Sequence, residues 1–479
     1  MDRGAPRPNQ DGRPPFALWA LLLVAALQRA WNAFRVPPLA GYDEPGHAAY
    51  IFTLVLEGRL PHPLEGWSTF HPPLYYLLSS LLWKALAPLG PHVIVAGLRG
   101  IGSLAGLAAG YVTFRLARRL GAGTAAAWIA AALVLFVPCA QMAGTMIGNE
   151  AFAAGLAALA LPAILALQID PRDARSAVTA GVFTGLALAS KYTGVFVAVA
   201  CVVPFLRRDL DRRGLRSLVV AVGLIMLLAG PFYARNLALT GSLFPMTRSL
   251  PVVLKAERAW SFGPHRVIDY LTFPPGALLR PSLFHVPHAA ASNWNRNPAM
   301  ASVWAMAYAS IWYDAFGCRI PLYYHHDGVL TGPLLALLGL VPTSLAIVGF
   351  LGASVRKVRT LGRSPDAPLV VMSLVAIGLF IVFTWNAPTL SAVKGSYLLP
   401  LAPAAGVFFA RAVERLRVRR TLLALSAGAA LAAMIVFTEG AVFPGGSLGP
   451  GGIAEWMGYA AHLPGAHIND ALTWILGMP

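Results

Sequence analysis

Two adjacent carboxylates, Asp43 and Glu44, follow the first long apolar stretch of the chain and stand in the segment Gly41-Tyr42-Asp43-Glu44-Pro45-Gly46. A carboxylate on a short loop over a membrane surface can act as a general base on a hydroxyl. Acidic residues are also common at helix N-termini, where they cap backbone N–H groups. The pair therefore indicates a catalytic base or a helix cap, and the local sequence leaves both open.

Further polar and ionisable residues recur at the ends of later apolar stretches. Taken singly, Lys191, Arg235 and Lys394 are explained by contacts with lipid phosphates, and Glu150 is explained by a helix cap. Collected on one face, acids and bases suit a lipid-linked phosphate substrate, because cations hold the phosphate and an acid handles the proton. The candidates beyond Tyr42, Asp43 and Glu44 are His47, His71, Asn149, Glu150, Lys191, Tyr192, Arg235, Lys394 and Tyr397.

The composition places these residues in a membrane protein. Of the 479 residues, 57% are hydrophobic and only 12% are charged, with a mean hydropathy of +0.63. Soluble domains carry about 25% charged residues, so a soluble globule, a disordered chain and a secreted disulfide scaffold are all excluded. The net charge of +17 comes from short basic clusters between apolar runs, which indicates the positive-inside bias rather than nucleic-acid binding.

Apolar runs long enough to cross a bilayer predict an all-α, polytopic helical bundle. A crossing needs ~20 apolar residues, and eleven candidate runs occur along the chain. They lie near residues 16–33, 93–116, 124–143, 150–168, 176–189, 192–206, 217–234, 330–351, 368–385, 396–411 and 421–438.

The basic clusters predict the orientation of the spans. With eleven spans and a cytoplasmic N-terminus, all the clusters fall on the cytoplasmic side. The stretch from His71 to Leu86 would reverse every later loop if it crossed, so we expect an interfacial or re-entrant helix that begins at Pro72-Pro73. The chain is thus predicted to be a multi-pass protein of the inner (plasma) membrane, with the candidate residues on the extracytoplasmic side. The clusters lie at 115–119, 172–175, 207–216, 356–363 and 411–420.

Two units follow from this topology. Residues 1–438 form the transmembrane domain, with long outer loops at 34–92 and 239–329. Residues 439–479 form a Gly/Pro-rich extracytoplasmic tail. Within the second span, Gly102, Gly106 and Gly110 form a stripe of small residues that predicts close helix packing.

The order of the motifs resembles the GT-C superfamily of integral-membrane glycosyltransferases, and most of all the branch with protein mannosyltransferases and the lipid A aminoarabinose transferase. The resemblance spans roughly residues 16–415. The motifs that carry it are Asp43-Glu44, Gly58-Arg-Leu-Pro61, His71-Pro-Pro-Leu-Tyr-Tyr76, Asn149-Glu150, the stretch from Gly185 to Thr193, Pro231-Phe-Tyr-Ala-Arg-Asn236 and Lys394-Gly-Ser-Tyr-Leu-Leu-Pro400.

This resemblance implies transfer of a sugar, with inversion, from a polyprenyl-phosphate donor to a lipid, glycan or protein acceptor at the outer face. It implies that Asp43 is the catalytic base, with Glu44 as the alternative, and that Glu150 helps to place the acceptor or a metal. His71 stands where aminoarabinose transferases carry a lysine, so their particular donor sugar is not implied.

The remaining candidates follow from the same resemblance. The donor phosphate would be bound by His71, Lys191, Arg235 and Lys394. The acceptor or substrate would be positioned by Tyr42, His47, Asn149, Glu150, Tyr192 and Tyr397. The leaving group is a lipid phosphate that cations can stabilise, so no cofactor is required, while a divalent cation remains open. His325-His326 beside Asp327 is either a metal site or a solvated loop.

Two other functions are compatible with the hydropathy. A secondary transporter would carry internal repeats and polar or broken helices at mid-membrane, whereas here the acids lie at span ends. A membrane protein of the O-antigen polymerase or ligase type would use the second outer loop instead. Its candidate residues are His265, Arg266, His285 and His288.

Overall fold

The chain forms an all-α bundle, with one antiparallel pair of two-residue strands in which Phe284 pairs with Arg296 and His285 with Asn295. The computed structural model describes residues 15–36, 41, 43–207, 209–246, 264–282, 284–285, 295–296, 298–316, 330–360, 364–387 and 392–442. Tyr42, His288, the motif at 325–327 and tail residues 443–479 lie outside the described residues.

Helices of the N-terminal half include the first outer loop and its two helices. They are α1 (Phe16–Arg35), α2 (Glu44–Leu56), α3 (Leu74–Leu86), α4 (Pro91–Arg119), α5 (Thr124–Phe136), α6 (Pro138–Gly144), α7 (Glu150–Ile169), α8 (Ala174–Leu188), α9 (Val195–Val202) and α10 (Arg212–Thr240). Short 3₁₀ segments cover Ala87–Leu89, Tyr192–Gly194 and Val203–Phe205.

The C-terminal half begins with the described parts of the second outer loop. Its helices are α11 (Val267–Leu271), α12 (Gly276–Leu279), α13 (Val303–Trp312), α14 (Thr331–Thr360), α15 (Ala367–Asn386), α16 (Ala402–Val413) and α17 (Arg419–Val436). Its strands are β1 (Phe284–His285) and β2 (Asn295–Arg296), and its 3₁₀ segments cover Pro298–Ala301 and Gly395–Leu401.

The helices confirm a multi-pass membrane protein but not the count of eleven spans. Among the described residues, eight helices are long and apolar enough to cross a membrane, and a ninth span results if α5 and α6 are one bent crossing. Each of the eleven apolar runs is helical, but Ala174–Leu188 and Tyr192–Phe205 are shorter than a full span. The first of them ends, and the second begins, at the turn that holds Lys191.

The break between α5 and α6 is caused by Pro138, which has no N–H to continue the helix. The two helices meet at 53°. Side chains bind the carbonyls that this break leaves: Nη2 of Arg29 donates to the carbonyl of Leu135 over 3.1 Å, and Nε2 of Gln141 donates to the carbonyl of Phe136 over 2.5 Å. The buried Arg29 in α1 therefore stabilises a bent neighbour.

The glycine stripe on α4 gives close packing, as the sequence predicts. A Cβ atom at Gly102 would lie 3.3 Å from the carbonyl oxygen of Ala143, and one at Gly110 would lie 2.5 Å from Cγ of Leu135. At Gly106 the added atom would collide with the guanidinium of Arg29. The stripe thus makes room for a buried cation as well as for helix contact.

Alanine at Gly106 is expected to destabilise the protein, because it displaces Arg29 from its carbonyl partners. Overpacking of this kind costs about 1–3 kcal/mol. Gly100 on the same helix is the matched control, since nothing lies within 4 Å of a Cβ atom there. We expect Gly106→Ala to lower the apparent Tm in detergent, and Gly100→Ala to leave it unchanged or to raise it. Equal melting temperatures for the two variants would contradict this role.

The first outer loop is folded onto the bundle rather than extended. Residues Glu44 to Leu54 of α2 are all buried, and Tyr50 stacks on Tyr76 of α3 with ring centroids 3.8 Å apart. Phe52 meets Trp83 edge to face at 4.8 Å. These contacts fix the start of α2, where the two adjacent carboxylates stand.

Candidate active site

Asp43 occupies a strained position at the start of α2. Its φ of 51° is in the left-handed region, and it is the one non-glycine residue with positive φ among the described residues. Such conformations cost free energy and persist where the surroundings enforce them. Oδ2 of Asp43 accepts a hydrogen bond from Nζ of Lys394 over 2.7 Å, and Oδ1 accepts one from Nε1 of Trp67 over 3.2 Å. The backbone therefore presents this carboxylate to a lysine from the far end of the chain.

Opposing effects set the pKa of Asp43. Burial raises the pKa of this carboxyl group. The Lys394 ammonium, His47 and the hydrogen bond from Trp67 together lower it by more, so the pKa falls below its ordinary value, to about 2. The same contact raises the pKa of Lys394, although burial alone would lower it. Asp43 is thus ionised at neutral pH, and its strength as a base depends on where Lys394 lies.

Glu44 is completely enclosed and has both carboxylate oxygens occupied. Its Oε1 accepts from Nη2 of Arg99 over 3.1 Å and from the backbone N–H of Ile147 over 3.0 Å. Its Oε2 accepts from the backbone N–H of Gly41 over 2.9 Å. Glu44 thus holds the turn, and of the two adjacent carboxylates it is that of Asp43 that meets Lys394.

Arg99 is a residue that the sequence interpretation missed. Besides Glu44, its Nη1 donates to the carbonyls of Ala33 and Val36 over 3.2 and 2.7 Å. It thereby ties the end of α1 and the start of α2 to α4. A lone arginine within an apolar helix is a signal in itself, because charges at membrane depth are rare unless they have partners.

A second ion pair lies beside the first. Nζ of Lys191 donates to Oε1 of Glu150 over 2.6 Å and to Oδ1 of Asn149 over 3.1 Å. It also lies 5.8 Å from the ring centroid of Tyr397. Asn149 returns a hydrogen bond to the carbonyl of Ser190 over 2.8 Å, which fixes the lysine turn. Lys191, Glu150 and Asn149 are each at most 5% exposed.

Two stacked histidines join the pairs. The rings of His47 and His71 have centroids 5.5 Å apart, and Nδ1 of His47 lies 2.7 Å from the hydroxyl of Tyr76. Burial lowers the pKa of both histidines, and Lys191 lowers that of His71 further. Both rings are therefore neutral at neutral pH. Neither Tyr76 nor Trp67 was among the residues singled out from the sequence as site residues.

Two candidate residues donate to backbone carbonyls and not to the charged side chains around Asp43 and Glu150. Nη2 of Arg235 donates to the carbonyls of Pro61 and Leu60 over 2.9 and 3.4 Å. The hydroxyl of Tyr192 donates to the carbonyl of Phe70 over 2.6 Å. In this structure both side chains anchor the first outer loop to the bundle.

The residues considered for the O-antigen alternative lie on the second outer loop. His265 and Arg266 both lie near Asp269, at 3.9 Å and 3.5 Å between charged atoms. Asp269 is the third residue of α11, and its carboxylate caps the helix by accepting from the backbone N–H of Arg266 over 2.8 Å. Among the described residues, no three His, Cys, Asp or Glu side chains are grouped so that they could hold a metal ion.

Comparison with known proteins supports the same fold. The family model described as dolichyl-phosphate-mannose-protein mannosyltransferase matches residues 71–234, about a third of the chain. No curated protein matches the chain by sequence. The match covers His71, Asn149-Glu150 and Lys191, but not Asp43 or Lys394.

Solved structures match over nearly the whole chain. The oligosaccharyltransferase of Archaeoglobus fulgidus, tethered to an acceptor peptide, is 15% identical with a TM-score of 0.51, covering 96% of this chain and 59% of its own. AglB of Archaeoglobus fulgidus, in complex with an inhibitory peptide and a dolichol-phosphate, is 16% identical with a TM-score of 0.50 and the same coverage. ArnT from Cupriavidus metallidurans is 17% identical with a TM-score of 0.41, covering 96% and 84%.

The chain is therefore a multi-pass membrane protein with the fold of the GT-C membrane glycosyltransferases, and the resemblance indicated by its motifs is confirmed. It spans 59% of the length of the archaeal oligosaccharyltransferase.

Proposed function

We propose that the protein is an inverting glycosyltransferase that takes a sugar from a polyprenyl-phosphate donor and passes it to an acceptor hydroxyl at the extracytoplasmic face of the plasma membrane. The observation that carries the proposal is the carboxylate of Asp43, which a left-handed backbone conformation presents to the buried Lys394. The match to the mannosyltransferase family model and the dolichol-phosphate named in the AglB complex support a lipid-phosphate donor.

The chemistry needs one base and a set of cations. The acceptor oxygen attacks the anomeric carbon while Asp43 takes its proton, and the bond from that carbon to the phosphate oxygen breaks with its electron pair on the phosphate. Lys394 and Lys191 are the buried cations that would stabilise the leaving phosphate. Each step of this scheme is assigned to a side chain.

Lys394 couples donor binding to the strength of the base. Before the donor arrives, Lys394 neutralises Asp43 across 2.7 Å. A donor phosphate offers the same ammonium a second anion, and as Lys394 turns to it the pKa of Asp43 rises, because the largest effect that opposes burial is weakened. Asp43 therefore becomes a stronger base only when a phosphate is in place.

Lys394→Met is expected to raise the KM for the donor and to shift the acidic limb of the pH–rate profile upward. In the wild type without donor, the pKa of Asp43 is about 2, so its carboxylate stays ionised at any pH well above that value. Without the ammonium, burial raises that pKa, so the ionised base is lost at a higher pH and the ratio of activity at pH 5 to that at pH 8 falls. Lys84→Met, at an exposed lysine on α3, should match the wild type. An unchanged profile in the Lys394 variant would contradict the coupling.

The function itself is tested with purified protein in proteoliposomes. Undecaprenyl-phosphate mannose, glucose, galactose and arabinose are supplied as donors, and released undecaprenyl phosphate is measured with and without membrane lipid and glycan acceptors. We expect turnover with at least one donor. Uptake of free sugar into vesicles without any lipid-linked donor would favour a transporter instead.

The orientation is tested on the first outer loop. His62 is exposed there, so His62→Cys should react with a membrane-impermeant maleimide added to intact cells or spheroplasts. The wild-type protein is the control for reaction at its own cysteines. Labelling only after the membrane is opened would place the loop in the cytosol, out of reach of an extracytoplasmic donor.

A further inference from the structure

Two buried polar atoms face each other beside Gly148. Nε2 of His47 lies 3.8 Å from Oε2 of Glu150, with side chains 0% and 5% exposed. Neither atom has a hydrogen-bond partner in the part of the chain that the structure describes. Buried polar atoms are nearly always hydrogen-bonded, because leaving them unpaired costs free energy. Two such atoms side by side point to a group supplied by a ligand.

The hydrogen-bond roles of the two atoms follow from their neighbours. Glu150 is ionised beside Lys191, so its Oε2 only accepts. His47 is neutral, and a proton on Nδ1 would leave the lone pair of Nε2 facing that carboxylate. The favoured tautomer therefore carries its proton on Nε2 and accepts from the hydroxyl of Tyr76 at Nδ1. The pair presents one donor and one acceptor.

Gly148 keeps space open next to this pair. A Cβ atom there would lie 2.9 Å from Oε2 of Glu150 and 3.5 Å from Cδ2 of His47. A side chain there would therefore crowd the carboxylate of Glu150 and touch the ring of His47. An oxygen atom can lie within hydrogen-bonding distance of two atoms that are 3.8 Å apart, which fits a single small polar group.

We propose that His47 and Glu150 bind one hydroxyl group of a sugar ring, which accepts from Nε2 of His47 and donates to Oε2 of Glu150. A hydroxyl accepts and donates at the same atom, as a water molecule also does. An ammonium would meet the N–H of His47, and a phosphate or carboxylate would meet the charge of Glu150. This inference rests on the proposed function and names a subsite within it.

The location makes this hydroxyl a neighbour of the reacting centre. The backbone N–H of His47 donates to the carbonyl of Asp43 over 3.1 Å, so the two residues lie one turn apart at the start of α2. A small ring that meets both residues would place one hydroxyl at His47 and its reacting atom at Asp43. The ring belongs either to the donor sugar or to a glycan acceptor.

The test pairs variants of His47 with substrates that lack single hydroxyls. His47→Gln keeps an N–H close to the position of Nε2, whereas the shorter amide in His47→Asn reaches only the position of Nδ1. Kinetics are measured with the undecaprenyl-phosphate sugar that the wild type uses, with its monodeoxy analogues, and with monodeoxy analogues of a glycan acceptor. His62→Gln, at an exposed histidine of the same loop, is the control.

One analogue should behave differently from the others. With the complete substrates, we expect kcat/KM to fall roughly 10- to 100-fold in His47→Asn and to be largely retained in His47→Gln. With the analogue that lacks the bound hydroxyl, wild type and both variants should be equally slow, and the substrate that carries this deoxy position identifies the source of the ring.

Other results would overturn the inference. Suppose that the wild type turns over its donor, and that each deoxy analogue lowers kcat/KM by the same factor in His47→Asn as in the wild type. The pair then binds no sugar hydroxyl, and the proposed function stands without this subsite. If no donor is turned over by the wild type, the proposed function fails and the inference fails with it.

Discussion

Asp43→Asn should reduce kcat roughly 100- to 10,000-fold, the range that a general base contributes, while the protein remains folded. The amide oxygen can still accept from Lys394, so the contact between the first loop and the 3₁₀ segment is retained. Because the substitution removes the charge that competes for Lys394, undecaprenyl phosphate should bind as tightly as to the wild type or more tightly. Turnover of the lipid-linked donor and binding of undecaprenyl phosphate are measured on the same preparation.

The separation of turnover from binding distinguishes a base from a residue that only supports the fold. Asp209→Asn is the matched control, since Asp209 is exposed and pairs with Arg207 on another loop, and it should retain full activity. Wild-type turnover in Asp43→Asn would remove Asp43 from the mechanism. Loss of turnover together with loss of undecaprenyl phosphate binding would assign it a structural role.

Glu44→Gln should have the opposite signature, with a large loss of stability. The substitution leaves the guanidinium of Arg99 buried without its counter-ion, and breaking a buried pair in this way costs about 3–5 kcal/mol. Arg99→Met should cost a similar amount, because Glu44 then remains as a buried, unpaired charge. The apparent Tm in detergent and the yield of folded protein measure both effects.

The double variant provides the control for that prediction. When Glu44→Gln and Arg99→Met are combined, neither charge is left unpaired, so the loss should be smaller than the sum of the two single losses. Strict additivity would show that the two side chains do not act as a pair. Any activity lost in Glu44→Gln should follow the fraction of folded protein, in contrast to Asp43→Asn.

Several candidate residues have partners in the structure that their positions in the sequence do not reveal. The sequence predicts substrate contacts for Arg235 and Tyr192, and in the structure both donate to carbonyls of the first outer loop. The sequence predicts that Lys394 binds the donor phosphate, and the structure shows that it also binds the carboxylate of Asp43. Such differences arise because a residue type indicates what a side chain can bind, whereas packing selects what it meets.

The sequence by itself determined the membrane class, the positions of most helices and most of the charged residues that the structure brings together near Asp43. It did so because bilayer thickness sets the length of an apolar helix, and because an ionisable residue at the end of such a helix stands out from its neighbours. Both are local properties that one stretch of chain displays without the rest.

Only the tertiary structure decided which charge meets which. Asp43 and Lys394 are 351 residues apart, and Glu150 and Lys191 are 41 apart. Their pairing depends on how each helix is rotated and bent against its neighbours, as at the proline break between α5 and α6. Interchangeable Ala, Leu and Val on the helix faces do not encode that rotation locally, so the ion pairs emerge only when the bundle is assembled.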